Sequence, residues 1–146
     1  MDRMISSLLP EALLVGQPEV DAQHEEIFVR IESLKALCVD SDALPLARFD
    51  DLLALFAEHF ATEERIARAA GLEFSQHART HRANLQVIAR ALAEVRQGVR
   101  DVHSFLRYVE FWFERHIVQD DQPFAASLRS LAMNGEAPPP EAGGAG

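Results

Sequence analysis

The sequence predicts an all-α protein, an antiparallel up-and-down four-helix bundle, and three observations carry that prediction. Four segments place apolar residues at spacings of three and four, the period of a helix with one buried face. The connections between them, near 39–44, 71–73 and 98–101, are too short for crossovers, so successive helices must run antiparallel. No stretch alternates apolar and polar residues as a half-buried strand would, and no internal repeat appears.

Taken in order, the chain opens with an arm, residues 1–19, whose two short apolar runs are split by Pro10 and Glu11. Neither run is long enough for a signal-peptide core; the arm is expected to pack along the outside of a bundle spanning 20–133. The first helical stripe is Val20, His24, Ile27, Phe28, Ile31, Leu34 and Cys38, with Asp21 near its start. The second is Phe49, Leu52, Leu53, Phe56, His59, Phe60 and Glu63. Pro45 stands near its beginning, where a missing N–H is tolerated, and Gly71 ends it. The third runs through Phe74, His77, His81, Leu85, Ile88, Leu92 and Val95 to a stop at Gly98. The fourth starts at Asp101, an expected N-cap, and continues through Val102, Phe105, Leu106, Val109, Trp112, Phe113, His116 and Ile117. Pro123 predicts the end of this helix or a break shortly before it, with a short helix from Phe124 to Leu131 beyond. The tail, 134–146, has nothing to bury and is expected to be disordered.

Composition narrows the function. With 146 residues, 48% apolar and 25% charged, the chain reads as one globular domain with a real core. A net charge of -9 argues against nucleic acid or an anionic membrane as partner, since both call for basic patches. Cys38 is the single cysteine, so no intramolecular disulfide can form, and a reducing cytoplasm is the simplest expectation. No segment is long and apolar enough to span a bilayer, so no membrane insertion is expected. Thirteen of the fourteen basic residues are arginine, which suggests coding bias rather than mechanism.

The informative feature is where the apolar stripes are interrupted. His24, His59, Glu63, His77, His81 and His116 all occupy core positions, which accounts for five of the six histidines. One buried neutral imidazole is ordinary, and each of these taken singly reads as a satisfied core histidine. Five with a carboxylate would cost several kcal/mol each, on the order of 2–7, without compensation. A shared metal ion is the obvious compensation. His59 and Glu63, and again His77 and His81, are four apart and project from one helix face. Each of the four helices thus contributes inward donors, as a metal site in a bundle core requires. With one of the two aspartates that follow His116, Asp120 or Asp121, the set is five imidazoles and two carboxylates, too many for one tetrahedral zinc. They suit two octahedral ions bridged by carboxylates, iron before manganese, with zinc allowed by affinity alone.

These residues closely resemble the hemerythrins, specifically their single-domain bacterial type. The resemblance covers about residues 9 to 125. It rests on VDAQHEEIF at 20–28, HFATEE at 59–64, HARTH at 77–81 and WFERHIVQDD at 112–121. One position divides two arguments. On an ideal helix the residue four after His116, Asp120, lies about 40° from it, and Asp121 about 140°. The family pattern puts its aspartate five positions on, which is Asp121. A helix break near Pro123 could turn the backbone there, so Asp121 is the expected ligand and Asp120 an acid facing solvent or backing a ligand.

The resemblance implies a non-heme di-iron centre. His77, His81 and His116 would hold one iron, His24 and His59 the other, with Glu63, Asp121 and an oxo or hydroxo group as bridges. The second iron would keep an open position for dioxygen, bound reversibly for storage, delivery or sensing, an oxygen-consuming enzyme being one recipient. Ile27, Phe28, Phe56, Phe60, Leu85, Trp112, Phe113 and Ile117 are the expected wall of the oxygen pocket. Three departures from the family pattern stand out: Leu9 and Pro10 where the arm often has tryptophan, Phe113 for a usual leucine, and Phe124 for an aromatic hydroxyl. No enzymatic activity is expected. A ferritin-like oxidase would call for glutamate three before a histidine, and those positions hold Asp21, Phe56, Phe74, Ala78, Arg100 and Phe113. Redox sensing, peroxide or nitric oxide reduction, and iron storage stay open at the same site. The expected assembly is a monomer or weak oligomer.

Overall fold

The structure is a computed structural model that describes residues 9–39 and 44–136. The short turn Glu11–Leu13 leads into five helices: α1 (Pro18–Val39), α2 (Leu46–Ala70), α3 (Ser75–Arg96), α4 (Val102–His116) and α5 (Gln122–Glu136). Helix α1 packs on α2 and α4, and α3 packs on the same two, so the first four close a ring in chain order. This is the up-and-down four-helix bundle that the stripes predict.

Local chemistry sets the helix ends. Pro18 opens α1, where its fixed φ and missing N–H do no harm. The side chain of Gln17 accepts from the Val20 N–H at 3.0 Å. Gly71 ends α2 with φ 71°, and Leu72 N–H donates to the Ala67 carbonyl at 2.9 Å, a left-handed cap that a Cβ would strain. Asp101 caps α4 as expected, its carboxylate accepting from Ser104 N–H at 2.9 Å. The stripes meet in a core in which Ile27, Ile31, Phe49, Phe56, Ile88, Phe105, Leu106, Phe113 and Ile117 are fully buried. Burying each such side chain contributes about 1.5–3 kcal/mol. Cys38 lies in this core as a small apolar residue, its thiol pushed up by burial.

The segment around Pro123 differs from expectation. The helix does not end or break there. It widens into one π-helical turn, Ile117–Asp121, and continues directly into α5. The Gln122 N–H donates to the Ile117 carbonyl five residues back. Pro123 explains the widening: it has no N–H to donate, and its ring would clash with the carbonyl four residues earlier in a regular helix. The helix expected over Phe124–Leu131 is therefore longer at both ends, and the first three residues of the expected disordered tail are helical. The rest of that tail lies outside the described residues.

The described part of the N-terminal arm is tied to α5. Leu9 and Val15 are buried. Gln122 Nε2 donates to the carbonyls of Ala12 at 2.7 Å and Leu14 at 3.2 Å, and Arg129 Nη1 donates to that of Val15 at 2.9 Å. Asp21 turns the arm into α1 by accepting from the N–H groups of Val15 and Gly16 at 2.9 and 3.1 Å. Gly16 sits at φ +86°, and a Cβ there would meet Arg129 Nη1 at 3.1 Å. Gly16→Ala should therefore destabilise the fold by about 1–2 kcal/mol, measured by urea denaturation. An unchanged midpoint would show that the arm's docking adds nothing to stability.

Candidate metal centre

The four helices bring seven side chains together near one end of the bundle core. They form two overlapping groups, Glu63, His77, His81, His116 and Asp121 in one, His24, His59, Glu63 and Asp121 in the other. Donor atoms within each group all lie within 4.8 Å of one another. All are buried except His77, whose side chain is 17% exposed.

The carboxylates divide their oxygens between the groups. Asp121 Oδ2 lies 2.9 Å from His24 Nε2 and 3.3 Å from His59 Nε2, while Oδ1 lies 3.2 Å from His116 Nε2 and 3.8 Å from His77 Nε2. Glu63 Oε2 faces His59 Nε2 at 3.7 Å, and Oε1 faces His81 at 3.1 Å and His77 at 3.7 Å. Donors bonded to one ion at about 2.1 Å stand about 3.0 Å apart when adjacent and about 4.2 Å when opposite. The observed spacings fall near or within that range. Among the described residues, both Glu63 oxygens, Asp121 Oδ1 and the Nε2 atoms of His77, His81 and His116 are buried without a hydrogen-bond partner. Each such atom costs about 1–3 kcal/mol if nothing compensates. Cations at the two foci would compensate all six, so the residues present fit a pair of metal ions.

The π turn brings Asp121 to this centre. In a π turn the residue five positions on comes over the starting residue, where an α-helix would bring the fourth. Asp121 thus joins the centre, and Asp120 is left behind His116, its Oδ2 2.9 Å from Nδ1 and its side chain 36% exposed.

Burial and charge organise protonation in the metal-free chain. Burial, with the neighbouring His77 and His116, pushes the His81 imidazole down to about 2. Burial also lowers His59. It would lower His116 too, but the Asp120 and Asp121 carboxylates overcome it and raise that imidazole to about 9. Burial beside Asp121 raises Glu63 well above the usual carboxylate range. Asp121, despite its own burial, is held well below that range by the four imidazoles that face it.

Aromatic rings hold the imidazoles in place. Phe60 stacks on His81 with centroids 3.9 Å apart, Trp112 on His116 at 5.3 Å, and Phe74 on His77 at 4.4 Å. Phe113 stands edge-on to His24 at 5.3 Å and His59 at 6.1 Å, backed by Phe28 and Phe56. Ile27 and Ile117 are fully buried in the same core. Leu85 is half-buried, packed against the same core and also lining an outer groove between α2 and α3 with Leu53, Ala54 and Ala57.

Two residues that support the histidines escape a periodicity reading. Gln23 Oε1 lies 3.0 Å from His59 Nδ1, and Gln23 Nε2 donates to Thr62 Oγ1 at 2.9 Å. With a cation taking the Nε2 lone pair, the proton of His59 would sit on Nδ1 and be donated to Gln23 Oε1. Gln23 immediately precedes His24, but it stands off the apolar stripe, so spacing carries no signal for it. Phe124, buried against Phe74 and His77, is the other.

No curated protein sequence matches the chain. The family model of the hemerythrin HHE cation-binding domain matches residues 15–128, well over half of the sequence, and the seven side chains of the centre fall within that range. A buried His, Glu and Asp cluster inside a four-helix bundle, spanned by that match, makes this chain a member of the hemerythrin family.

Proposed function

We propose that the chain binds dioxygen reversibly at two iron ions, for storage, delivery or sensing. The observation that carries this reading is the split of both carboxylates, one oxygen of Asp121 and of Glu63 toward each set of histidines. Such a split suits two like ions sharing two bridges, and imidazole with carboxylate suits iron. A ferrous pair supplies the electrons that dioxygen accepts on binding and returns on release.

The chain's residues set where the ligand goes. His77, His81, His116, Glu63 and Asp121 offer five donors to one ion, and His24, His59, Glu63 and Asp121 offer four to the other. The four-donor half therefore keeps more room for an exogenous ligand. Phe113, Phe28 and Phe56 surround that half and exclude water, which otherwise supplies the protons that drive irreversible oxidation.

A second reading, reduction of peroxide or nitric oxide at the same ions, is favoured by a polar cavity of about 540 Å³ over His77. His77, Arg79, Thr80, Gln119 and Asp120 help to line it, so the exposed edge of His77 opens the three-histidine half to solvent. The visible spectrum of iron-loaded protein, reduced without air, then aerated, then freed of oxygen, separates the two. A colour that appears with air and bleaches on removing oxygen, over repeated cycles, is the expected result. One irreversible passage to the oxidised form would favour the second reading, and an unresponsive spectrum would sink both.

A further inference from the structure

The two halves of the centre are backed by unlike groups. Behind His59 stands a neutral amide, Gln23, itself hydrogen-bonded to Thr62. Behind His116 stands a carboxylate, Asp120, 2.9 Å from Nδ1. Among the described residues, the Nδ1 atoms of His24, His81 and His116 have no directed hydrogen bond, and of these three only His116 has a carboxylate set against it at ion-pair distance. We propose that Asp120 is a positioning residue whose negative charge, set behind His116, makes the three-histidine half the more readily oxidised of the two.

The physical chain is short. A negative charge beside the outer nitrogen of an imidazole stabilises positive charge on the ring and leaves the inner nitrogen a stronger donor. A stronger donor favours the higher charge state of the ion it holds. Asp120 approaches His116 at ion-pair distance without the alignment of a directed hydrogen bond, so its charge matters more than its shape. It also faces the polar cavity shared with His77, while His24 and His59 are sealed. Charge, solvent access and ligand number thus all distinguish the same half. The four-donor half, backed by the uncharged amide, is the one that resists oxidation until its ligand arrives.

This inference rests on the di-iron reading above, and its test separates the two. Wild type, Asp120→Asn and Asp120→Ala would be loaded with iron and titrated through their oxidation states by spectroelectrochemistry, with iron content measured alongside. Two irons should be found in each. The asparagine variant keeps the shape and an accepting oxygen but loses the charge. If charge is what acts, both variants raise the potential of one oxidation step by a similar amount, a ten-fold change in relative affinity being about 59 mV for one electron. Gln23→Glu should lower the potential of the other step. Asparagine behaving as wild type while alanine shifts would overturn the charge role in favour of shape. Unshifted potentials in both would overturn the proposal outright. Fewer than two irons in the wild type would instead overturn the di-iron reading on which it stands.

Discussion

Asp121→Ala should abolish binding of a metal pair, with the loss showing as metal content below two per chain and an affinity lower by about 100-fold or more. Removing a residue that merely supports a metal ligand already costs about 10–100-fold in affinity. Asp121 does more than a supporting residue: its two oxygens face histidines of both groups. The change also injures the metal-free chain. Among the described residues it leaves Glu63 as the one carboxylate shared by both donor groups, and it removes the inner anion that helps to keep His116 protonated. Breaking one side of a buried ion pair costs about 3–5 kcal/mol. Thermal melting with and without metal separates the two effects, because only the wild type should gain stability when metal is added. Binding in the wild type should also strengthen with pH. A metal takes the deprotonated imidazole, and His116 holds its proton up to about 9, so raising pH toward that value removes a competitor. A variant that still binds two metals would show that Asp121 is no ligand at all.

Phe113→Ala should lower stability by about 3–5 kcal/mol, the range for emptying a buried aromatic site. Phe113 is fully buried and touches Phe28, Phe56 and the rings of His24 and His59, so no single neighbour can fill the space. Under the proposed function the same cavity opens beside the four-donor half and admits water. The oxygenated form of the variant should therefore decay faster, followed as loss of the oxygen-dependent absorption. Phe113→Leu, which keeps most of the apolar volume, should fall between the two in both measurements. A variant with normal stability and an unchanged decay would remove Phe113 from the pocket wall.

What could be read from sequence followed from regular periodicity. The four helices are legible because one face of each is buried along its whole length, and Asp101 because a cap is a local bond to Ser104. The buried donors are legible because a histidine on an apolar stripe is chemically out of place. Legibility fails where periodicity does. A constant angular step cannot register a wide turn, so Pro123 reads as a terminator and angular reasoning selects Asp120 over Asp121. Gln23 is missed because supporting residues stand beside the stripe, where polar side chains are ordinary. Leu85 fits the period of α3 as well as Ile88 does, yet Ile88 is fully buried while Leu85 is half-buried at the edge of the core and borders the outer groove with α2. Spacing along one helix does not say which neighbour it faces.

The wide turn at Ile117–Asp121 carries a surplus residue, and that residue changes the phase relation between sequence and space. Five residues there complete roughly the revolution that four complete in an α-helix. Everything downstream keeps the angular position it would have in a regular helix one residue shorter. Deleting Val118 would leave Asp121 and Phe124 facing much as they do now, with Asp121 then four residues after His116. Yet the shorter helix would force the Pro123 ring against a carbonyl four residues back, at about 3 kcal/mol or more. Proline and surplus residue are therefore mutually conditioned. Each is awkward without the other, and neither can be lost singly without strain or rotation. The centre's end of the bundle is held in register by a pair of irregularities that cancel.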